Sequence, residues 1–260
     1  MKKFLILTLT LFLIASMGIQ GFALEENTPY NWYCVNNDEH KIPRLDSCFE
    51  FIKGYDAYYA DTEAEKKGEK VIYLTFDAGY ENGNVEKILD ALKEHNATGA
   101  FFILENLIKR NGDLVKRMES EGHTVCNHTR SHPDMSEIGD RKLFASQLDS
   151  LALSYKELTG KEMARIYRPP EGRFTPLNLK FAKEMGYKTV FWSFAYADWD
   201  NNRQMSREKA MEKILAHVHN GEIMLLHPTS ATNATILSQV IQEVKGAGYR
   251  FGTLEELCGV

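Results

Sequence analysis

The chain has 260 residues, 43% of them hydrophobic, enough to bury one large core, and α/β barrels of about 200–250 residues form a single domain. A formal net charge of −5 lacks the basic footprint of a nucleic-acid binder, so no nucleic-acid partner is expected. No stretch inside the body is apolar enough to cross a membrane.

The N-terminus differs from the body. Lys2 and Lys3 precede an apolar run from Phe4 to Ile19, and Gly21 and Ala23 are small residues suitably placed before a cut after Ala23. Residues 1–23 therefore read as a secretory signal peptide, with an uncleaved anchor as the alternative; either one exports the body. Residues 24–69 come before the first strand of the body. Their aromatic stretch, 31–59, is expected to pack on the domain, and 61–70 reads as a charged, Gly-broken, solvated linker. Export permits disulfides, and a Cys34–Cys48 bridge is a hypothesis worth about 3 kcal/mol by chain entropy. Cys126 reads as a small buried hydrophobe, and the cysteine spacings fit no zinc-finger pattern.

From Lys70 onward, strands and helices alternate to the end of the chain. The strand 71–76 ends at Asp77, and Asn84 is placed to cap a helix over 85–95. Strands at 98–104 and 123–127 bracket a helix over 107–121, and a longer helix covers about 141–158. The strand 164–167 runs into Arg168, and a helix over 176–185 starts with Pro176 and stops at Gly186. Strands at 187–194, 222–226 and 249–254 alternate with helices over 207–218 and 235–245. This is a βαβ series with a parallel sheet, and residues 70–260 form one domain. Chemically interesting residues after five different strands favour an incomplete barrel, which gathers many strand ends round one pocket, over an open sheet. No GxGxxG or P-loop follows a strand, so nucleotide binding lacks support, and no GxSxG elbow suggests a serine esterase.

The strand ends carry the chemistry. Asp77 stands where α/β enzymes place catalytic groups, although an isolated Asp there is more often a turn or capping residue. His128 and His132, four apart, can face one way on a helical turn and give one metal two imidazole ligands; an arbitrary HxxxH is more often a surface pair. Arg168 can pair with Asp77 and keep it ionised, with Pro169, Pro170 and Gly172 shaping its loop. Asp198 and Trp199 follow the fifth strand. His227 ends the sixth and is poised as a proton donor held by a neighbouring Asp. A metal pair, a base, an arginine, an acid and an apolar wall match metal-assisted hydrolysis of an acyl bond.

These residues resemble the polysaccharide deacetylases, the family-4 carbohydrate esterases with a NodB-homology domain. The resemblance spans about residues 70–257, through five ordered motifs: Thr75–Gly79, His128–Pro133, Arg168–Gly172, Asp198-Trp199 and Leu226-His227. It implies an α/β fold, a distorted (β/α)7 barrel, and removal of acetyl groups from a sugar polymer. It also implies Asp77 as base, oriented by Arg168, and His227 as acid, tuned by Asp198. Trp199, Pro170, Gly172 and Leu226 would line the substrate pocket, and His128 and His132 would hold a divalent metal, zinc first among candidates. Ala78 departs from the family, which usually has a second Asp there as third ligand.

Residues 80–83, 191–193 and 224–227 look most like the delta-lactam-biosynthetic de-N-acetylases. That branch implies N-acetylmuramic acid in spore-cortex peptidoglycan as substrate, on a glycan strand whose stem peptides an amidase has removed; the chain is expected to act as a monomer. Glu171 departs here too, at a position where the branch often has a basic residue. The alternatives are a deacetylase of N-acetylglucosamine or another glycan and, from a different class, a catalytically silent glycan-binding barrel.

Overall fold

In the computed structural model, residues 26–37 and 39–260 are described, so the 1–23 leader expected from the sequence lies outside the described residues. The N-terminal segment contributes two short strands, Tyr30–Asn31 (β1) and Ala57–Tyr58 (β2), on either side of a 3-10 stretch Ser47–Tyr55. Most of its aromatics pack on the barrel, Tyr33 excepted. Trp32 and Phe49 are buried with Phe174 and Phe191, and the Trp32 and Phe191 rings stack at 4.5 Å.

The 61–70 stretch is not the solvated linker its charge suggested. Thr62–Lys67 is a helix (α1) because Asp61 accepts from the amides of Glu63 and Ala64, Gly68 closes it in the left-handed conformation, and Ala64 is buried.

The body strands are Val71–Ala78 (β3), Ala100–Ile103 (β4), Thr124–Asn127 (β5), Ile166–Tyr167 (β6), Arg173–Phe174 (β7), Lys188–Val190 (β8), Glu222–Leu226 (β9) and Arg250–Phe251 (β10). Except for β7, which pairs antiparallel with β1, they form one parallel sheet in the order β10-β3-β4-β5-β6-β8-β2, with β9 also beside β3. A parallel bridge between Phe194 and Met224 brings the chain after β8 against β9, so the sheet curls round on itself. This is the expected distorted (β/α)7 barrel.

β3 shows why so apolar a strand is needed. Ile72, Leu74, Phe76 and Ala78 join the cluster packed under the helices, whereas Val71 and Tyr73 meet Phe102, Cys126, Ile166, Val190 and Ile223 on the other face. Both faces are covered, as in parallel sheets generally. The inner row then continues upward from Val71 and Tyr73 to Thr75 and Asp77. The helices outside are Val85–Glu94 (α2), Glu105–Ser120 (α3), Arg141–Thr159 (α4), Pro176–Glu184 (α5), Arg207–His217 (α6), Ala231–Gly246 (α7) and Leu254–Cys258 (α8).

Three local expectations change. Asn84 makes no side-chain cap on α2, because its amide donates to Thr229 O at 3.0 Å. β8 leaves the ladder after Val190, since the carbonyls of Val190 and Phe191 accept from the Arg168 guanidinium instead. Cys34 and Cys48 are free thiols: Cys34 Sγ donates to Ser193 O at 3.1 Å and Cys48 is exposed, so the structure holds no bridge between them.

Candidate active site

Asp77 is next to last in β3, its side chain 10% exposed at the carboxyl end of the barrel. Arg168, fully buried just beyond β6, donates to Asp77 Oδ1 at 2.7 Å and to Thr75 Oγ1 at 3.0 Å. Its Nε bonds Val190 O, and its guanidinium lies 4.0 Å from the Phe102 ring centroid. Burial pushes the Asp77 carboxyl up, but Arg168, His128 and His227 pull harder, and it ends below the ordinary carboxylate range. Asp77 is thus an ionised carboxylate with Oδ1 engaged and Oδ2 facing the imidazoles.

His128 and His132 converge without a helical turn. The chain after β5 passes through left-handed residues at Thr129 (φ 77°) and His132 (φ 59°), stabilised by Asn127 Oδ1 accepting from Thr129 N and Thr129 Oγ1 accepting from His132 N. The two rings lie 5.1 Å apart at 72°. His128 Nδ1 is held by Arg168 O at 2.9 Å, which leaves Nε2 free, 3.6 Å from Asp77 Oδ2. Burial lowers the His128 pKa to about 4, so the imidazole is neutral and its lone pair available.

Across the cavity, His227 follows β9. Its Nδ1 lies 2.7 Å from Asp198 Oδ1, and its backbone amide donates to Asp198 Oδ2 at 2.8 Å. Burial works to lower the His227 pKa, but the hydrogen bond and charge of Asp198, with Asp77 beyond, outweigh it and raise the value above that of an ordinary imidazole. Asn233, at the start of α7, donates to both Asp198 Oδ2 and His227 O.

Comparison with known proteins gives this constellation a family. The sequence model for Polysaccharide deacetylase matches residues 64–190. The peptidoglycan-N-acetylmuramic acid deacetylase PdaA of Bacillus subtilis is 39% identical over 250 residues, 94% of this chain and 91% of that protein. The chain is a polysaccharide deacetylase. The solved structure of Bacillus subtilis PdaA, a family 4 carbohydrate esterase, superposes with a TM-score of 0.84 at 39% identity, covering 89% of this chain and 97% of that one. A peptidoglycan-N-acetylglucosamine deacetylase of Bacillus cereus is 34% identical over 194 residues, 73% of this chain and 88% of that protein.

Deacetylases of this family generally work with a metal ion. Here His128 and His132 offer two imidazole donors of the right chemistry, but Ala78 is buried in the helix-side core and has no donor atom. Among the described residues, no group of three or more His, Cys, Asp or Glu side chains is assembled to hold an ion. The pair fits a metal; the protein does not supply the usual third ligand.

The deacetylase cavity, about 750 Å³, brings together Asp77, His128, His132, His227 and Trp199. Arg168 and Asp198 stand directly behind it. Three residues expected on its wall are elsewhere. Leu226 points into the helix-side core, because alternation along β9 turns Leu225, not Leu226, to the cavity. Pro170 and Gly172 are buried beneath it, and Glu171 between them lines it, held at φ 55°. Gly172 has φ 68°, and a Cβ there would sit 2.8 Å from the Trp192 indole and 2.9 Å from Trp32 Cβ, so only glycine lets these two side chains close on the loop. Tyr80, Trp192, Tyr196 and Thr229 also line the cavity but were not named from the sequence as site residues. Tyr80 and Trp192 carried a signal, since they lie in the stretches 80–83 and 191–193 that resemble the delta-lactam branch.

Proposed function

We propose that this deacetylase removes the N-acetyl group from N-acetylmuramic acid residues of peptidoglycan, outside the cytoplasmic membrane. The observation that carries the reading is one cavity lined by an arginine-held carboxylate, Asp77, and an aspartate-held imidazole, His227. Similarity to the muramic acid deacetylase over nearly the whole chain supports the choice of sugar.

Asp77 Oδ2 takes a proton from the attacking water as its oxygen bonds to the acetyl carbon and the carbonyl becomes tetrahedral. His227, protonated and held at Nδ1 by Asp198, gives its other proton to the amide nitrogen as the C–N bond breaks, releasing acetate and an amine. Arg168 keeps Asp77 ionised and fixed. His128 and His132 would hold a divalent ion, zinc by donor type, which when bound supplies Lewis-acid polarisation of the acetyl oxygen. On strands whose stem peptides an amidase has removed, the freed amine can close on the lactyl carboxyl to give the δ-lactam of spore cortex.

Glu171 favours a second reading. Its carboxylate lines the cavity and would oppose a free lactyl carboxylate, which N-acetylglucosamine lacks.

The test uses the exported body with Zn²⁺ and separately with chelator. Peptidoglycan with and without stem peptides is the substrate, and digests are read by mass spectrometry. Acetyl loss from muramic residues is the expected result. Loss from glucosamine alone selects the second reading, and glycan binding with no loss at all makes the barrel a silent binding module.

A further inference from the structure

Asp198 holds His227, yet no strand holds Asp198. β8 ends at Val190, and the last sheet contact before the loop is the Phe194–Met224 bridge. The Asp198 side chain is nevertheless 1% exposed, and among the described residues His227 is the only basic side chain paired with it. A buried carboxylate on a loop has to be fixed by neutral donors, because an unsatisfied oxygen there is costly.

The first turn of α7 supplies them. Asn233, fully buried, donates through Nδ2 to Asp198 Oδ2 at 2.6 Å and to His227 O at 3.1 Å. A carbonyl can only accept, so this atom is the amide nitrogen and Oδ1 faces the Tyr196 hydroxyl, which must donate to it. The backbone amide of Asn233 donates in turn to the Ser230 hydroxyl oxygen that caps α7. The same turn holds the main chain of Asp198. Gln204 Nε2 donates to Asp198 O at 2.9 Å, and its Oε1 accepts from Ser230 Oγ. With the His227 amide also on Oδ2 and the His227 ring on Oδ1, both carboxylate oxygens are engaged and the carboxylate plane is fixed. Tyr196 lines the cavity, so the chain of bonds starts at the cavity wall, passes behind the proton donor and returns to it.

We propose that Asn233, itself aligned by Tyr196, is a positioning residue for the deacetylation. It fixes the plane of the Asp198 carboxylate, so that His227 keeps one proton on Nδ1 and presents the other, on Nε2, to the departing amine. Asn233 touches no reacting atom, and its effect reaches the chemistry only through Asp198 and His227. Without it, Asp198 Oδ2 retains only the His227 backbone amide, the carboxylate can rotate, and the imidazole is no longer held in one tautomer. This rests on the deacetylase reading and adds what keeps its proton donor aligned.

The experiment compares the wild-type protein with Asn233→Leu, Tyr196→Phe, Asp198→Asn and the double variant Asn233→Leu/Asp198→Asn. Two readouts are taken across pH: kcat and KM on peptidoglycan, and the His227 ring-nitrogen shifts by NMR of 15N-histidine-labelled protein, assigned with His227→Gln. Asn233→Leu should cut kcat by about tenfold at nearly constant KM, and its nitrogen shifts should move from a single Nδ1–H tautomer toward a mixture. Tyr196→Phe, which leaves the Asn233 donor in place, should cost about threefold. In the Asp198→Asn background, Asn233→Leu should cost about twofold or less, because residues that act as one unit are not additive. Fully additive losses, a change confined to KM, or nitrogen shifts that ignore Asn233 would overturn the proposal. If the wild type deacetylates no glycan yet the His227 tautomer still depends on Asn233, the deacetylase reading falls and the positioning stands. Should Asn233→Leu not fold, Asn233→Ser takes its place in every comparison.

Discussion

The two ends of the barrel each bury a carboxyl group and treat it in opposite ways. At the carboxyl end, Asp77 shares its site with the buried guanidinium of Arg168 and is held ionised. At the opposite end, where β9 begins, Glu222 is fully buried with no basic side chain paired to it among the described residues except His219, 3.8 Å away. One oxygen accepts from His219 N at 3.2 Å and the other has no partner. Burial pushes the Glu222 carboxyl well above its usual range, and burial likewise lowers the His219 pKa. The N-terminal segment lies against this end: Asp61 N donates to Gly221 O, and Cys34 Sγ to Ser193 O. A buried acid is therefore chemically useful here only where a cation is buried beside it and the end is open.

The largest expected effect removes the charge at the open end. Asp77→Asn should cost about 10⁴-fold in kcat and, by leaving the buried Arg168 guanidinium without its counter-charge, lower the melting temperature while the protein still folds. Unaltered turnover would remove Asp77 as the base. Removing the cation instead should make the open end resemble the closed one. Arg168→Met strands the Asp77 carboxylate, so the protein should lose about 3–5 kcal/mol by urea unfolding along with nearly all its activity.

A smaller effect concerns the proton donor. Because Asp198 raises the His227 pKa, the alkaline limb of kcat/KM should lie above that of an ordinary imidazole. Asp198→Asn should move this limb to lower pH and cut kcat by about 10²-fold; a limb that stays put would assign it to another group.

The smallest effect belongs to the closed end. Glu222 holds its proton in the fold to a higher pH than in the unfolded chain. Its contribution to stability is complete below the unfolded carboxylate pKa and fades as pH rises through the raised folded value. Thermal melts at pH 5 and pH 8 should show Glu222→Gln gaining on the wild type at the higher pH. A constant difference would mean that Glu222 is already ionised in the fold.

Much of this was written locally. The apolar run 71–76 could only be a strand covered on both faces, and the glycines at 160 and 186 stop helices because they accept a left-handed φ. The candidate catalytic set was legible because its members stand at or beyond the carboxyl ends of strands, where a barrel gathers side chains. What misled was local too. Charge made 61–70 look like a linker, although one capping aspartate and one buried alanine make it a helix. The His128–His132 spacing suggested a helical turn, where two left-handed residues do the work.

By itself, the sequence determined the strand–helix alternation, the barrel and the set of residues proposed as catalytic, because these depend on periodicity and on residue chemistry at strand ends. Only the tertiary structure decided which neighbour of a motif faces the cavity. Leu225 instead of Leu226, and Glu171 instead of Pro170 or Gly172, follow from strand register and loop dihedrals fixed by distant packing. The same holds for the Tyr196–Asn233 link and the unpaired Glu222: residues 37 apart in sequence meet, and a buried acid lacks a cation, only once the barrel has closed.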